Sequence, residues 1–126
     1  MAIEYPNTDL YIDGKWRAAV SGETLDVINP ATEEVIGKVA RARHADLDEA
    51  LEAADKAFAS WKKTTPLDRY RILRKAADLL RERASMIAEI MTTEQGKPLA
   101  EAKGETLMGA DRIDWMAEEG RRAYGR

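Results

Sequence analysis

Pro98-Leu99-Ala100-Glu101-Ala102-Lys103-Gly104-Glu105-Thr106-Leu107-Met108-Gly109-Ala110-Asp111-Arg112-Ile113-Asp114-Trp115-Met116-Ala117-Glu118-Glu119-Gly120-Arg121-Arg122-Ala123 is the stretch on which the fold turns. It opens on proline, which suits the first turn of a helix, and contains no second proline, so it predicts a helix over 98–123. Its large apolar residues, Leu107, Met108, Ile113, Trp115 and Met116 with Tyr124 just beyond, do not share one stripe. A helix that is apolar on several sides has to be covered on several sides. The rest of the chain therefore has to be searched for that cover.

Upstream, a second helix is expected over 66–94. Thr65-Pro66 supplies an N-cap followed by proline at the first helical position, and Gly96 with Pro98 supplies the stop. Its apolar positions run Tyr70, Leu73, Ala76/Ala77, Leu80, Ala84, Ile87 and Met91. A first helix is expected over 44–64, where Leu47, Leu51, Ala54, Phe58 and Trp61 recur at steps of four and three and form a stripe. Acidic Asp46, Asp48 and Glu49 begin it and Lys62 and Lys63 end it, as the helix dipole favours.

Residues 1–43 have the other period. Leu10-Tyr11-Ile12 and Lys15-Trp16-Arg17 flank Asp13-Gly14, a hairpin signal because both turn positions need φ > 0. Thr24-Leu25-Asp26-Val27-Ile28 follows Ser21-Gly22 and ends at Asn29-Pro30, and Val35–Ala40 forms a further strand. The expected fold class is thus mostly α with a small N-terminal β meander: a meander over 1–43 and a three-helix region over 44–126 made of helices 44–64, 66–94 and 98–123. So small a meander is marginal without something to pack on.

Composition limits the chemistry. With 20 basic and 23 acidic residues among 126, net −3, there is no basic excess for a nucleic-acid partner. No apolar run reaches membrane length and Met1-Ala2-Ile3-Glu4-Tyr5 is not a secretory start, so a cytoplasmic location is expected. No cysteine is present, which removes disulfides, thiolate metal sites and thiol catalysis from this chain. The single histidine, His44, precedes the first helix and is read as a surface residue. Glu33-Glu34, Asp46/Asp48/Glu49 and Glu118-Glu119 read as turn and helix-surface charges. Arg69, Arg71, Arg74, Lys75, Arg81 and Arg83 alternate with Asp68, Asp78 and Glu82 as a solvated face with i,i+4 pairs. Gly104 and Gly109 have the glycine spacing of a phosphate loop, but Ala110-Asp111 stands where Lys-Ser/Thr is required. Glycines within a helix mark instead a close backbone approach. No catalytic and no cofactor-binding residue is read from the chain.

In order and spacing, several segments resemble the start of the aldehyde dehydrogenase superfamily. They are Tyr11-Ile12-Asp13-Gly14-Lys15-Trp16, Ile28-Asn29-Pro30-Ala31-Thr32-Glu33-Glu34-Val35-Ile36-Gly37, Asp46-Leu47-Asp48-Glu49-Ala50, Ala57-Phe58 with Trp61, and Pro66 with Arg69. The run Glu94-Gln95-Gly96-Lys97-Pro98-Leu99-Ala100-Glu101-Ala102-Lys103-Gly104-Glu105, with Trp115–Gly125, is most similar to the succinate-semialdehyde dehydrogenase branch. The resemblance implies oxidation of an aldehyde by a cysteine thiolate, with hydride passing to NAD or NADP and a glutamate activating water. It places the cofactor turns, the thiolate, the base and the oxyanion-hole asparagine after the region matched. A segment of a larger enzyme, inactive alone and needing no cofactor itself, is expected.

The resemblance also assigns positions. Glu105, Met108 and Arg112 match residues walling a substrate entrance, and a Met and an Arg there suit a small anionic aldehyde. Ile28, through its carbonyl, and Glu94, through its carboxylate, match ligands of a structural monovalent cation in some members. The expected partners are the remainder of the enzyme, which in the family places these helices around a nucleotide-binding domain, and other copies of the chain, since an apolar face without its cover drives association. No nucleic acid and no membrane are expected. The alternative is a stand-alone helical interaction or oligomerisation module.

Overall fold

A computed structural model of the chain describes residues 5, 6 and 8–123 in two compact units, Met1–Lys63 and Thr64–Arg126. Tyr124, expected at the end of the last apolar helix, lies outside the described residues.

The first unit holds four strands and a helix: β1 (Leu10–Ile12), β2 (Lys15–Arg17), β3 (Thr24–Ile28), β4 (Val35–Ala40) and α1 (His44–Trp61). The strand meander consists of two antiparallel hairpins, β1 with β2 and β3 with β4. Asp13 and Gly14 both take positive φ, 50° and 76°, which lets a two-residue turn follow the strand twist. The longer β3–β4 connection is tied by Asn29. Its side-chain oxygen accepts from the Ala31 N–H (2.9 Å), its carbonyl accepts from Glu33 (2.8 Å), and its N–H donates to the Glu34 carbonyl (2.9 Å). A bulge sits between Val27 and Ile28.

Asp46, in the first turn of α1, fastens this unit. It is 1% exposed, yet its carboxylate is satisfied by the N–H groups of Val20 and Arg43, each at 2.8 Å, and Arg17 approaches to 3.6 Å. The two backbone bonds, Arg43 first, hold its carboxyl below the usual aspartate range. Arg17 also pairs with Glu49 one turn further along. These ties group α1 with the strands, although the sequence period changes at 43/44.

The second unit is helical: α2 (Pro66–Glu82), α3 (Ala84–Gln95) and α4 (Leu99–Arg122). Thr65 caps α2 by accepting from the Asp68 N–H at 3.1 Å, with Pro66 next. Gly96, at φ 73°, ends α3 in the left-handed conformation and donates to the Thr92 carbonyl at 2.8 Å. The helix expected over 66–94 is two helices, so the expected three long helices are four. The break is Arg83, at φ −97° and ψ 4°. Its N–H still reaches the Leu79 carbonyl and its own carbonyl still accepts from Ile87, each at 3.0 Å. A departure of one residue leaves the apolar period intact, which is why the sequence pattern runs straight through it. The bend keeps both halves on α4, with Ala77 of α2 and Ala84 and Ala88 of α3 all buried.

The core is made of small residues. Among the described residues every buried apolar side chain is alanine: Ala19 in the first unit, and Ala77, Ala84, Ala88, Ala102, Ala110 and Ala117 in the second. On α4, Ala102, Thr106, Ala110 and Ala117 follow one another at helical spacing, and the Thr106 hydroxyl donates to the Ala102 carbonyl at 2.9 Å. The large side chains lie outside. On α4, Leu107 and Met108 are exposed and Trp115 and Met116 are each 61% exposed. The α1 stripe is turned outward as well, with Leu47, Leu51, Phe58 and Trp61 all exposed. Nor do the helical glycines mark close contacts. A Cβ added at Gly104, Gly109 or Gly120 meets nothing within 4 Å, which corrects the expectation of a near neighbour.

Candidate functional site

Glu105, Met108 and Arg112 lie one turn apart along α4, all exposed, on the side away from the buried Ala102–Thr106–Ala110 row. The turn before α4 brings Lys97 back to Glu105, and the two form an ion pair. Lys97, through that hydrogen bond and its charge, holds the Glu105 carboxyl below the usual range, and Arg112 adds a smaller push in the same direction. Glu105 in turn raises the Lys97 ammonium, with Glu101 contributing. Glu105 is thus an ionised, paired acceptor and is unsuited to take up a proton near neutral pH. Met108, 51% exposed, sits between these charges and offers a flexible apolar contact. The arrangement can orient and guide a small anion past Arg112; it has no nucleophile.

Ile28 and Glu94 belong to different units. Ile28 closes β3 directly before the Asn29 turn, and Glu94 lies in the last turn of α3 with its side chain exposed. Among the described residues Glu94 makes no ion pair, and no group of three or more His, Asp or Glu side chains is placed to hold a metal. His44 begins α1 on the surface.

Sequence reasoning missed two polar features. One is Asp46. The other corrects the reading of the second helix's basic residues as a solvated face. Arg81 reaches across to α4, to Asp111 at 2.7 Å and Asp114 at 2.6 Å, and Arg74 reaches Asp114 at 2.8 Å. The two carboxylates, Asp111 first, raise the Arg81 guanidinium above its already high value. Arg74–Asp78, at 3.3 Å, is an i,i+4 pair of the kind the pattern indicated, and Arg71–Asp68 and Arg81–Asp78 are i,i+3 pairs. No local spacing announces partners 30 or more residues away.

Two concave surfaces accompany these features. In the first unit a cleft of about 450 Å³ opens between the β1–β2 hairpin and α1, with Trp16, Arg17, Glu49 and Lys56 on its walls. In the second, a groove of about 380 Å³ lies between the start of α2 and the end of α4, lined by Tyr70, Leu73, Ala117 and Gly120. Arg121 stacks over Tyr70 at 4.8 Å beside it. No helix among the described residues is long and apolar enough to cross a membrane.

Residues 16–126 match the model of the aldehyde dehydrogenase family. The chain belongs to that family. It is 50% identical over 115 residues to a glutarate-semialdehyde dehydrogenase of Pseudomonas putida, covering 91% of this chain and 24% of that protein. It is 44% identical over 114 residues to an NADP-dependent succinate-semialdehyde dehydrogenase of Escherichia coli, covering 90% of this chain and 24% of that one. Among solved structures, an aldehyde dehydrogenase of Brucella melitensis superposes with a TM-score of 0.94 at 44% identity, over 100% of this chain and 27% of the other. A succinate-semialdehyde dehydrogenase of Burkholderia pseudomallei gives 0.92 at 46%, over 95% of this chain and 25% of the other. The architecture is therefore a part of the aldehyde dehydrogenase fold, and the chain spans about a quarter of the length of the curated relatives it matches.

Proposed function

We propose that these 126 residues are the N-terminal part of an NAD(P)-dependent aldehyde dehydrogenase that oxidises a short semialdehyde, succinate or glutarate semialdehyde, to the dicarboxylate, and that the segment does not catalyse the reaction alone. The observation that carries this is the inverted packing of α4. Its alanines are buried while Leu107, Met108, Trp115 and Met116 face outward, as suits a helix laid against further protein. The names and lengths of the relatives favour the same reading, as does the absence of cysteine.

The overall conversion takes aldehyde, water and NAD(P)+ to acid, NAD(P)H and a proton. The family chemistry runs through a thiolate that this chain does not contain. No G-x-G-x-x-G follows a strand, and no cofactor contact is assigned to this segment. No step is assigned to this segment. What it supplies is a wall: Met108 contacts the aldehyde's methylenes in the entrance and Arg112 draws its carboxylate, while Glu105 is occupied by its ion pair with Lys97. Alone, the chain associates with its own copies.

Incubation of the chain with a semialdehyde and NAD+ or NADP+, followed by the absorbance of the reduced cofactor, tests the reading. No signal above buffer is expected, and turnover overturns it. A monodisperse monomer with a sharp cooperative melt would instead favour a self-sufficient interaction module.

A further inference from the structure

The β3–β4 hairpin has two edges, and among the described residues only one is occupied. The Arg41 N–H donates to the Glu23 carbonyl at 2.9 Å, which fixes the alternation of the ladder. Residues 23, 25 and 27 bond across to β4, whereas the backbone groups of Thr24 and Asp26 point away from it. The same alternation turns the groups of Lys38 and Ala40 outward on the β4 side, and there they are met. The Ala40 N–H donates to the Thr8 carbonyl at 3.2 Å, and the Thr8 hydroxyl donates to the Lys38 carbonyl. On the β3 side, among the described residues, nothing bonds to the N–H or C=O of Thr24 or Asp26. Leu25, between them, is 48% exposed. Open edges are templates for another strand unless proline, charge, a bulge or a cover blunts them. β3 has no proline or lysine, its bulge lies at its far end between Val27 and Ile28, its one charge, Asp26, is paired with Lys38 at 3.4 Å, and no cover lies on it among the described residues.

We propose that this edge is where two copies of the chain meet, β3 against β3 in an antiparallel pair centred on Leu25. This rests on the self-association proposed above and names its interface. The register is chosen by the residues. With Leu25 on the two-fold axis, Thr24 of one copy stands opposite Asp26 of the other. Both are the outward-pointing residues that a hydrogen-bonded pair needs, so four backbone bonds form. Leu25 then faces Leu25 at a non-hydrogen-bonded site, where side chains approach most closely, and the two half-exposed leucines cover each other. Centring the pair on Asp26 instead would set two carboxylates face to face, which is unfavourable. In the Leu25 register Asp26 keeps its own ion partner, Lys38, at 3.4 Å. The product is a continuous four-stranded sheet, β4-β3-β3-β4.

Because the chain has no cysteine, Leu25→Cys places a single thiol on the proposed axis. Cα atoms at such a pair are about 4.5 Å apart, within disulfide reach. Three measurements on the intact chain go together: sedimentation equilibrium, amide exchange at Thr24 and Asp26 against concentration, and oxidative cross-linking of Leu25→Cys beside a Thr32→Cys control in the β3–β4 turn. The expected result is a dimer, exchange at both amides slowed about tenfold on concentrating, and cross-linking at least tenfold faster at 25 than at 32. A dimer without amide protection and without preferential cross-linking overturns the edge pairing and leaves self-association standing. A monomer at all concentrations overturns both. Asp26→Pro removes one outward donor while sparing the β3–β4 ladder, and it is expected to weaken the dimer without unfolding the hairpin; an unchanged dimer also refutes the pairing.

Discussion

Replacing Gly104 by alanine in α4, and Gly96 by alanine at the end of α3, is the same chemical change with opposite expected signs. Gly104 is mid-helix, and a Cβ built on it meets nothing within 4 Å. Nothing offsets the gain from restricting the unfolded chain and improving helix propensity, about 0.5–1 kcal/mol. Gly96 sits at φ 73° with its N–H on the Thr92 carbonyl, so a side chain there must take the left-handed conformation at about 1–2 kcal/mol. With a urea dependence of roughly 1–2 kcal/mol/M for a protein of this size, the midpoint should rise by about 0.25–1 M for Gly104→Ala and fall by about 0.5–2 M for Gly96→Ala. Urea melts followed by helical circular dichroism read both. A lowered midpoint for Gly104→Ala would refute the reasoning, because it would mean that a neighbour already occupies the space that looks empty. The same substitution is also a probe of cover: where other protein lies on this side of α4, its sign should reverse.

Two further outcomes follow from the packing. Ala110→Leu adds three carbons to a fully buried site on α4 and should destabilise by about 1–3 kcal/mol in the same melt, whereas Met116→Leu, on the open side, should move the midpoint little. Asp46 gives a pH dependence. Its folded-state pKa is below the ordinary value of about 3.9, so its contribution is fully present above that value and lost as pH falls through the depressed one. Asp46→Asn should therefore be less stable than the parent at neutral pH, and the gap should close on acidification; a gap independent of pH between 6 and about 2 would show that the carboxylate's charge is not what holds Val20 and Arg43.

Local chemistry was legible in the sequence where it is decided within a few residues. Asp13-Gly14, Thr65-Pro66 and Gly96 each dictate their own backbone, and each turn, cap and stop stands where the sequence places it. The break at Arg83 was hidden because no glycine or proline marks it, and it accompanies the shared contact of α2 and α3 with α4. Periodicity found the α1 stripe but not its outward direction, since a repeat says which side chains share a face and not what lies opposite. Asp46, Arg74 and Arg81 looked like surface charges for the same reason: their partners are distant in sequence. Of the candidate site, the ordered motifs revealed the family, and the structure added the Lys97–Glu105 pair that sets the charge around Met108 and Arg112.

The alanine row between α2, α3 and α4 carries a thermal consequence. Apolar hydration dominates the heat capacity of unfolding, and burying methyl groups in place of large side chains leaves little such surface to expose. Calorimetry of the chain should accordingly return a heat-capacity increment below the usual 12–15 cal/mol/K per residue. Its free-energy curve would be shallow, with stability changing slowly on cooling and cold denaturation displaced far below freezing.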